Sequence, residues 1–210
     1  MKKYIWQLTE IPKSKNKKFG EGGKRTKDIL KKKPLFSIIT VVFNGEKFLE
    51  KTITSVINQS YKNFEFIVID GGSTDKSLKI IKKYEKKIDY WVSEKDNGIY
   101  DAFNKGMIVS KGEFIGFINS DDIYKKDALS IISNYIRKNK ATDFIFGSVK
   151  KHWGILHGYK PHKIKYSWGF YSSHSTGFFI KRKVAEEIGF YNIKYKYHAD
   201  YDYFYRLIVK

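Results

Sequence analysis

Apolar runs of strand length, each broken off by a polar loop and followed by a helical pattern, leave few architectures open to this chain. Leu35-Phe36-Ser37-Ile38-Ile39-Thr40-Val41-Val42-Phe43 is rich in β-branched and aromatic residues and apolar on both faces, as buried parallel strands are. Asn44-Gly45 ends it, and a helix is predicted from about Glu46 to Asn58, with Phe48, Leu49, Thr52, Ile53, Val56 and Ile57 on one face. Phe64 to Ile69 repeats the strand pattern and stops at Asp70-Gly71-Gly72-Ser73-Thr74-Asp75 before a helix over about 75–87. A short strand at Tyr90-Trp91-Val92 gives way to Ser93-Glu94-Lys95-Asp96-Asn97-Gly98 and a helix from Ile99 to Val109. Phe114 to Ile118 is the next strand, ending in Asn119-Ser120-Asp121-Asp122, and a helix follows over about 125–139. Beyond it the pattern predicts strands at 144–147 and 176–180, a helix over 182–188, and a last helix starting near Asp200. A loose aromatic stretch, 150–173, lies between these strands and suits a binding surface. Such alternation predicts a three-layer α/β domain with a mostly parallel central sheet, opening at Pro34.

At 210 residues, with an apolar share of 41%, the chain suits one domain with a single good core. It has no cysteine, which excludes disulfides and thiolate metal sites and favours a cytoplasmic setting. No apolar run approaches the length of a membrane span, and Met1-Lys2-Lys3-Tyr4-Ile5-Trp6 lacks the apolar stretch of a signal peptide. The net charge of +19 is uneven, because residues 1–34 hold twelve Lys/Arg against Glu10, Glu21 and Asp28. Residues 1–33 therefore read as a basic extension, lying on the domain or on an anionic membrane surface, or else disordered. Gly20-Glu21-Gly22-Gly23-Lys24-Arg25-Thr26 fails as a phosphate loop: Lys18 stands where the first Gly is needed and Arg25 where Ser/Thr is required.

In an open α/β sheet, ligands bind at the carboxyl ends of the strands. Asp70, Asp96 and Asp121 all fall in or near those loops and would gather along one crevice. Adjacent carboxylates such as Asp121 and Asp122 either cap the following helix or hold a cation. Oxygen ligands without cysteine indicate a hard ion, Mg2+ or Mn2+, able to stabilise charge on a departing diphosphate. Gly71 and Gly72 before a helix N-terminus suit a nucleotide, and the absence of G-x-G-x-x-G after the first strand argues against a dinucleotide. In His198-Ala199-Asp200-Tyr201-Asp202 the carboxylates either cap the last helix or supply a general base for a hydroxyl.

Four segments together strongly resemble the family-2 glycosyltransferases, above all the bacterial enzymes of lipopolysaccharide, capsule and other surface-polysaccharide synthesis. They are Ser37 to Asn44, Ile69 to Asp75, Ser93 to Gly106 and Asn119 to Asp122. The resemblance covers about 35–210. It implies a GT-A fold, a nucleotide-sugar donor (a UDP-sugar), Mn2+ or Mg2+, and inversion at the anomeric carbon. It divides the domain into a nucleotide-binding half, about 34–122, and an acceptor-side half, about 123–210, which is either minimal or cut short. By position it gives Phe43 and Asp70 to the base pocket and Asp96 to the nucleoside. Asn44, Gly71, Asn97, Gly98, Asp101, Asn104, Lys105, Asn119 and Ser120 join them as donor-binding residues. Asp121 matches the last aspartate of the family's D-x-D motif and is the expected metal ligand, with Asp122 assisting or organising the turn. Asn119 stands where the first aspartate is usual. Asp200 falls on the catalytic base, with Ala199 in place of the usual Glu; Asp202 and His174 are supporting candidates. The other histidines (152, 157, 162 and 198) are expected at the surface.

The expected partners are a nucleotide-sugar donor and a glycan or lipid-linked acceptor, the latter placing the protein on the inner membrane face. A sugar nucleotidyltransferase is the alternative enzyme, but Phe43-Asn44-Gly45-Glu46 lacks its Gly-rich basic loop. A basic nucleic-acid-binding protein is the non-enzymatic alternative; charge is a weak signal beside ordered motifs, so nucleic acid is not an expected partner.

Overall fold

The computed structural model describes residues 17–26, 33–156 and 175–208. The described elements begin with β1 (Lys18–Gly22) and β2 (Phe36–Val42), then α1 (Leu49–Ile57), β3 (Phe64–Asp70), α2 (Ser77–Lys83), β4 (Tyr90–Glu94) and α3 (Ile99–Val109). It continues through β5 (Phe114–Asn119), α4 (Ala128–Lys138), β6 (Phe144–Phe146) and a hairpin of β7 (Val149–Lys151) and β8 (Gly154–Leu156). The last described elements are β9 (Phe178–Lys181), α5 (Arg182–Ile188) and α6 (Ala199–Ile208).

Seven strands form one sheet in the order β1-β4-β3-β2-β5-β9-β6. The central strands β4, β3, β2 and β5 run parallel, as predicted, whereas β1, β9 and β6 each lie antiparallel to a neighbour. Alternation along β2 divides the core. Phe36, Ile38 and Val42 pack toward Leu49, Ile53 and Val56 of α1 and Leu129 of α4, while Ile39 and Val41 pack toward Phe103 and Met107 of α3 and Tyr203 of α6. Helices α1, α2 and α4 thus cover one face and α3, α5 and α6 the other, giving the three layers.

The described part of the basic extension, residues 17–26, lies on the domain, one of the placements expected of it, and does so as a strand. Lys18–Gly22 joins the sheet as an edge strand, paired with β4 from Lys18↔Glu94 to Gly22↔Trp91. Glycine makes this possible, because a Cβ at Gly20 would lie 2.9 Å from the Trp91 ring and one at Gly22 2.8 Å from its Nε1. The segment is then bolted at its other end. Arg25 Nη1 donates to Glu65 Oε2 at 3.0 Å and to the Val109 carbonyl at 2.8 Å, and its guanidinium lies over the Tyr90 ring. Glu65, only 1% exposed, also accepts from Ser37 Oγ and from the Lys111 and Gly112 amides.

Smaller departures follow local hydrogen bonding. Glu46–Phe48 form a turn rather than the start of α1, Tyr84 hands α2 over to a 3-10 turn at Glu85–Lys87, and Ser175–Gly177 is a 3-10 turn ahead of β9. Gly177 packs against Gly147, whose amide donates to the Gly177 carbonyl at 2.7 Å. Within the stretch expected to be irregular, Val149–Leu156 is the β7–β8 hairpin, with Trp153 and Ile155 exposed.

Candidate functional site

At the carboxyl ends of β2 and β3, two loops are stitched into a single floor. Asn44 enters the left-handed region (φ 52°), which asparagine tolerates, and its Oδ1 accepts from the Thr74 amide at 2.8 Å. The Asn44 amide donates to Ser73 Oγ, the Gly45 amide to Ser77 Oγ and the Glu46 amide to Asp75 Oδ2. Glu46 returns the favour by accepting from the Lys76 amide at 2.9 Å. Burial pushes the Asp75 carboxyl up, but the bonds from Ser77 and Glu46 outweigh it and leave the pKa lowered.

Above this floor opens a crevice of about 730 Å³. Its wall includes Phe43, Asn44, Gly71, Asp96, Gly98, Asn119, Ser120 and Asp121, all of them residues singled out from sequence. Val41, Val42, Gly45, Phe48, Ile99 and Ala102 complete it. Phe48 carried no functional signal in the sequence, and Ile99, though inside the Ser93–Gly106 segment, was not singled out; both read as parts of helices. Phe43 is 63% exposed, an aromatic face left uncovered at the rim.

Sheet order fixes which carboxylate stands where. Asp96 follows β4 at one end of the crevice, and Asp121 follows β5 at the other. Gly71 lets Asp96 approach, since a Cβ at that position would collide with the Asp96 carboxylate. Burial raises the Asp96 pKa; the Gly98 amide bond (2.9 Å) and Lys105 oppose the rise, while Asp101 and Asp70 add to it.

Other residues expected to touch the donor use their side chains inside the protein. Asp70 is fully buried and accepts from Ser73 Oγ and Ser93 Oγ, each at 2.5 Å, so it anchors the loop beneath the base pocket it was expected to line. Asp101 accepts from the Asn97 amide and side chain, closing the turn before α3. Asn104 exchanges hydrogen bonds with both backbone groups of Tyr191 at 2.9 Å. Lys105 pairs with Glu94 at 2.9 Å and donates to the Lys95 carbonyl. In each case the loop position was legible from sequence, but the direction of the side chain depended on a distant partner.

At the Asp121 end, Asn119 Nδ2 donates to Asp122 Oδ2 at 3.1 Å and to Ser175 Oγ at 3.3 Å. Because a carboxylate only accepts, this contact fixes the amide orientation. Asn119 Oδ1 is then left buried with no hydrogen-bond partner among the described residues. Asp122 also receives the Thr176 hydroxyl, so it organises the turn and is engaged away from the crevice wall. No cluster of three or more His, Cys, Asp or Glu suited to a metal occurs among the described residues. The exposed Asp121 carboxylate and the orphaned Asn119 oxygen are nonetheless both hard oxygen donors, the chemistry that suits a divalent ion completed by phosphate and water oxygens.

Asp200 sits outside the crevice wall but one contact away from it. Ile99 lines the crevice, and the next residue, Tyr100, donates its hydroxyl to Asp200 Oδ1 at 3.1 Å. Burial, then the Asp200 charge, raise the Tyr100 pKa to about 12, so this donor stays protonated at neutral pH. Tyr100 belonged to a recognisable motif, yet nothing in the sequence pointed to this contact. Ala199 is fully buried at the start of α6, and the preceding His198 adopts φ 63°. Asp202 is committed to Arg206 at 3.0 Å, whose other nitrogens donate to the Ile188 and Phe190 carbonyls. His152 and His198 are exposed; His157, His162 and His174 lie outside the described residues.

Comparison with known proteins agrees with this architecture. Residues 37–199 match the family described as Glycosyl transferase family 2. A PGL/p-HBAD biosynthesis glycosyltransferase of Mycobacterium bovis is 28% identical over 179 residues, covering 81% of this chain and 68% of the relative. The putative teichuronic acid biosynthesis glycosyltransferase TuaG of Bacillus subtilis is 38% identical over 100 residues, 46% of this chain and 40% of that protein. S. aureus TarS 1–349, solved in complex with UDP, superposes with a TM-score of 0.63 at 20% identity, over 80% of this chain and 53% of TarS 1–349. The chain therefore spans about two thirds of the mycobacterial relative and about half of the solved neighbour.

Proposed function

Since the chain belongs to glycosyl transferase family 2, we propose that it moves a sugar from a nucleotide-diphosphate sugar, a UDP-sugar, to a hydroxyl of a glycan or lipid-linked acceptor in surface polysaccharide synthesis. The observation that carries this reading is the crevice itself. It has a half-buried carboxylate after β4 at one end, an exposed aromatic after β2 between the ends, and an exposed carboxylate after β5 at the other, where the Asn119 amide oxygen has no partner among the described residues. A nucleoside suits the Asp96 end, with Phe43 on the wall between, and a diphosphate the Asp121 end. Asp121 and Asn119 would hold Mn2+ or Mg2+, which when bound supplies positive charge to the departing diphosphate. UDP in the TarS neighbour and the names of the two relatives are consistent with this donor and acceptor class.

The chemistry assigned to the chain is a single displacement with inversion. Asp200 accepts the proton of the acceptor hydroxyl as its oxygen bonds to the anomeric carbon. The bond from that carbon to the diphosphate oxygen breaks, and the nucleoside diphosphate leaves with the electron pair. Tyr100 holds the Asp200 carboxylate through one oxygen and leaves the other for the proton. Asp70, Asn104 and Lys105 keep the donor loops in place from beneath.

The test is a panel of UDP- and GDP-sugars assayed with Mn2+ for binding and for hydrolysis or transfer. A selective response to one donor supports the proposal, and Asp200→Asn should then keep donor binding while losing transfer. Undiminished turnover by Asp200→Asn would refute the base assignment; no nucleotide-sugar binding at all would refute the function.

A further inference from the structure

The family match begins at residue 37, so β1 lies outside it. Yet β1 occupies the sheet edge beside β4, next to the end of the crevice that holds Asp96. We infer that β1 belongs to the donor site, with Phe19 extending the nucleoside end of the crevice as an aromatic wall for the nucleobase. This inference rests on the nucleotide-donor reading above.

Three observations converge on Phe19. Its ring touches the Gly71-Gly72 turn, since a Cβ at Gly72 would lie 3.0 Å from Phe19 Cε2. The same position is close to the backbone of Lys95, 3.4 Å from its amide nitrogen. Gly71 and Asp96, the neighbours of those two contacts, both line the crevice. Gly72 also requires its glycine for the backbone, at φ 83°, so the turn and the aromatic approach depend on one residue.

Phe19 is 49% exposed, leaving much of its side chain open to a ligand. A half-exposed phenylalanine is unremarkable when free to move. This one sits at a bulge between two paired residues, Lys18↔Glu94 and Gly20↔Ser93, in a strand anchored further along. Gly20 and Gly22 sit flush on Trp91, the Lys24 and Arg25 amides donate to the Ile88 and Asp89 carbonyls at 3.0 and 2.8 Å, and Arg25 pairs with buried Glu65. An aromatic beside a glycine turn and an acceptor carboxylate suits the planar face and polar edge of a base, whose stacking on aromatic side chains is sequence-tolerant but substantial.

The experiment uses the full chain and compares the unaltered protein with Phe19→Ala and Phe19→Tyr. Calorimetric titration with UDP and Mn2+ reads the nucleoside end, and titration with inorganic pyrophosphate and Mn2+ reads the diphosphate end alone. Melting temperatures report on the fold. The expected result is a loss of UDP affinity of about fivefold or more in Phe19→Ala, the low end of base-stacking effects. Phe19→Tyr should keep its affinity, and pyrophosphate binding should not change. Equal UDP binding by Phe19→Ala overturns the role of Phe19 and leaves the donor reading standing. Equal losses for UDP and pyrophosphate also overturn it, since they report a general distortion. If the unaltered chain binds neither UDP nor GDP, the donor reading falls and this inference falls with it.

Discussion

Asn119 stands 3.1 Å from a carboxylate oxygen of Asp122 and donates to it. Asn119→Asp would turn that attraction into a contact between two carboxylates. At an effective dielectric of about 20, unit charges about 3 Å apart repel by about 5 kcal/mol. The protein can escape by protonating one of them, which at pH 7 costs about 1.4 kcal/mol for each pH unit above a carboxyl pKa of about 4. The cost is therefore capped near about 4 kcal/mol, and we expect about 3 kcal/mol at neutral pH. For a chain of this length that is a fall in Tm of about 6–12 °C. The sign with pH follows from linkage. The new carboxyl would bind its proton more tightly folded than unfolded, so stability falls as pH rises from about 4 through the raised folded value. At pH 5 the deficit should be no more than about 1.5 kcal/mol. Thermal melts of both proteins at pH 5 and pH 8, in chelator and in excess Mn2+, check this without any activity assay. Mn2+ should shrink the deficit, because a cation beside Asp121 relieves the repulsion. A variant as stable as the parent at pH 8 in chelator would refute the Asn119–Asp122 contact. A deficit untouched by Mn2+ would refute the metal assignment at this end of the crevice.

Arg25→Met keeps the aliphatic stem but strands Glu65, which retains its bonds from Ser37, Lys111 and Gly112; we expect a loss of about 2–4 kcal/mol in urea unfolding, little changed by salt. Asp96→Asn should remove a carboxylate that burial disfavours. Because the folded pKa of Asp96 is raised, the stability its bound proton contributes is present at low pH and is lost as pH rises through the interval from the ordinary to the raised value. The variant should therefore gain stability relative to the parent across that interval, while its affinity for UDP falls, which paired melts and titrations would reveal. Tyr100→Phe removes the donor that holds Asp200, and kcat should drop about tenfold with the donor KM unchanged; an unchanged kcat would count against the contact.

Strands and helices of the central domain were legible because their periods were unbroken. The bounds expected for the helices at Ile99–Val109 and Arg182–Ile188 are those observed. β1 was not legible, since glycines alternate through it and the ring that demands those glycines, Trp91, is far away in sequence. The same division runs through the site. Loop position at a strand's carboxyl end was enough to bring Asp96 and Asp121 to one crevice, but not to say that sheet order sets them at its opposite ends. It could not say that Asp70, one residue before Gly71, would turn inward, because that depends on Ser93 across the β3–β4 pair. Nor could it say that Asn104 would be claimed by the backbone of Tyr191.

Because β1 sits on β4, the family-matched segment is not a self-sufficient sheet. A chain trimmed to begin at Pro34 would present Tyr90–Glu94 as a bare parallel edge, with unpaired amides and carbonyls and the flank of Trp91 uncovered. Such an edge is a template for pairing with another chain. The short strand β1 is thus a built-in cover against self-association as well as a neighbour of the crevice. At the opposite border of the sheet the same hazard is limited by shortness, for β6 is only three residues long.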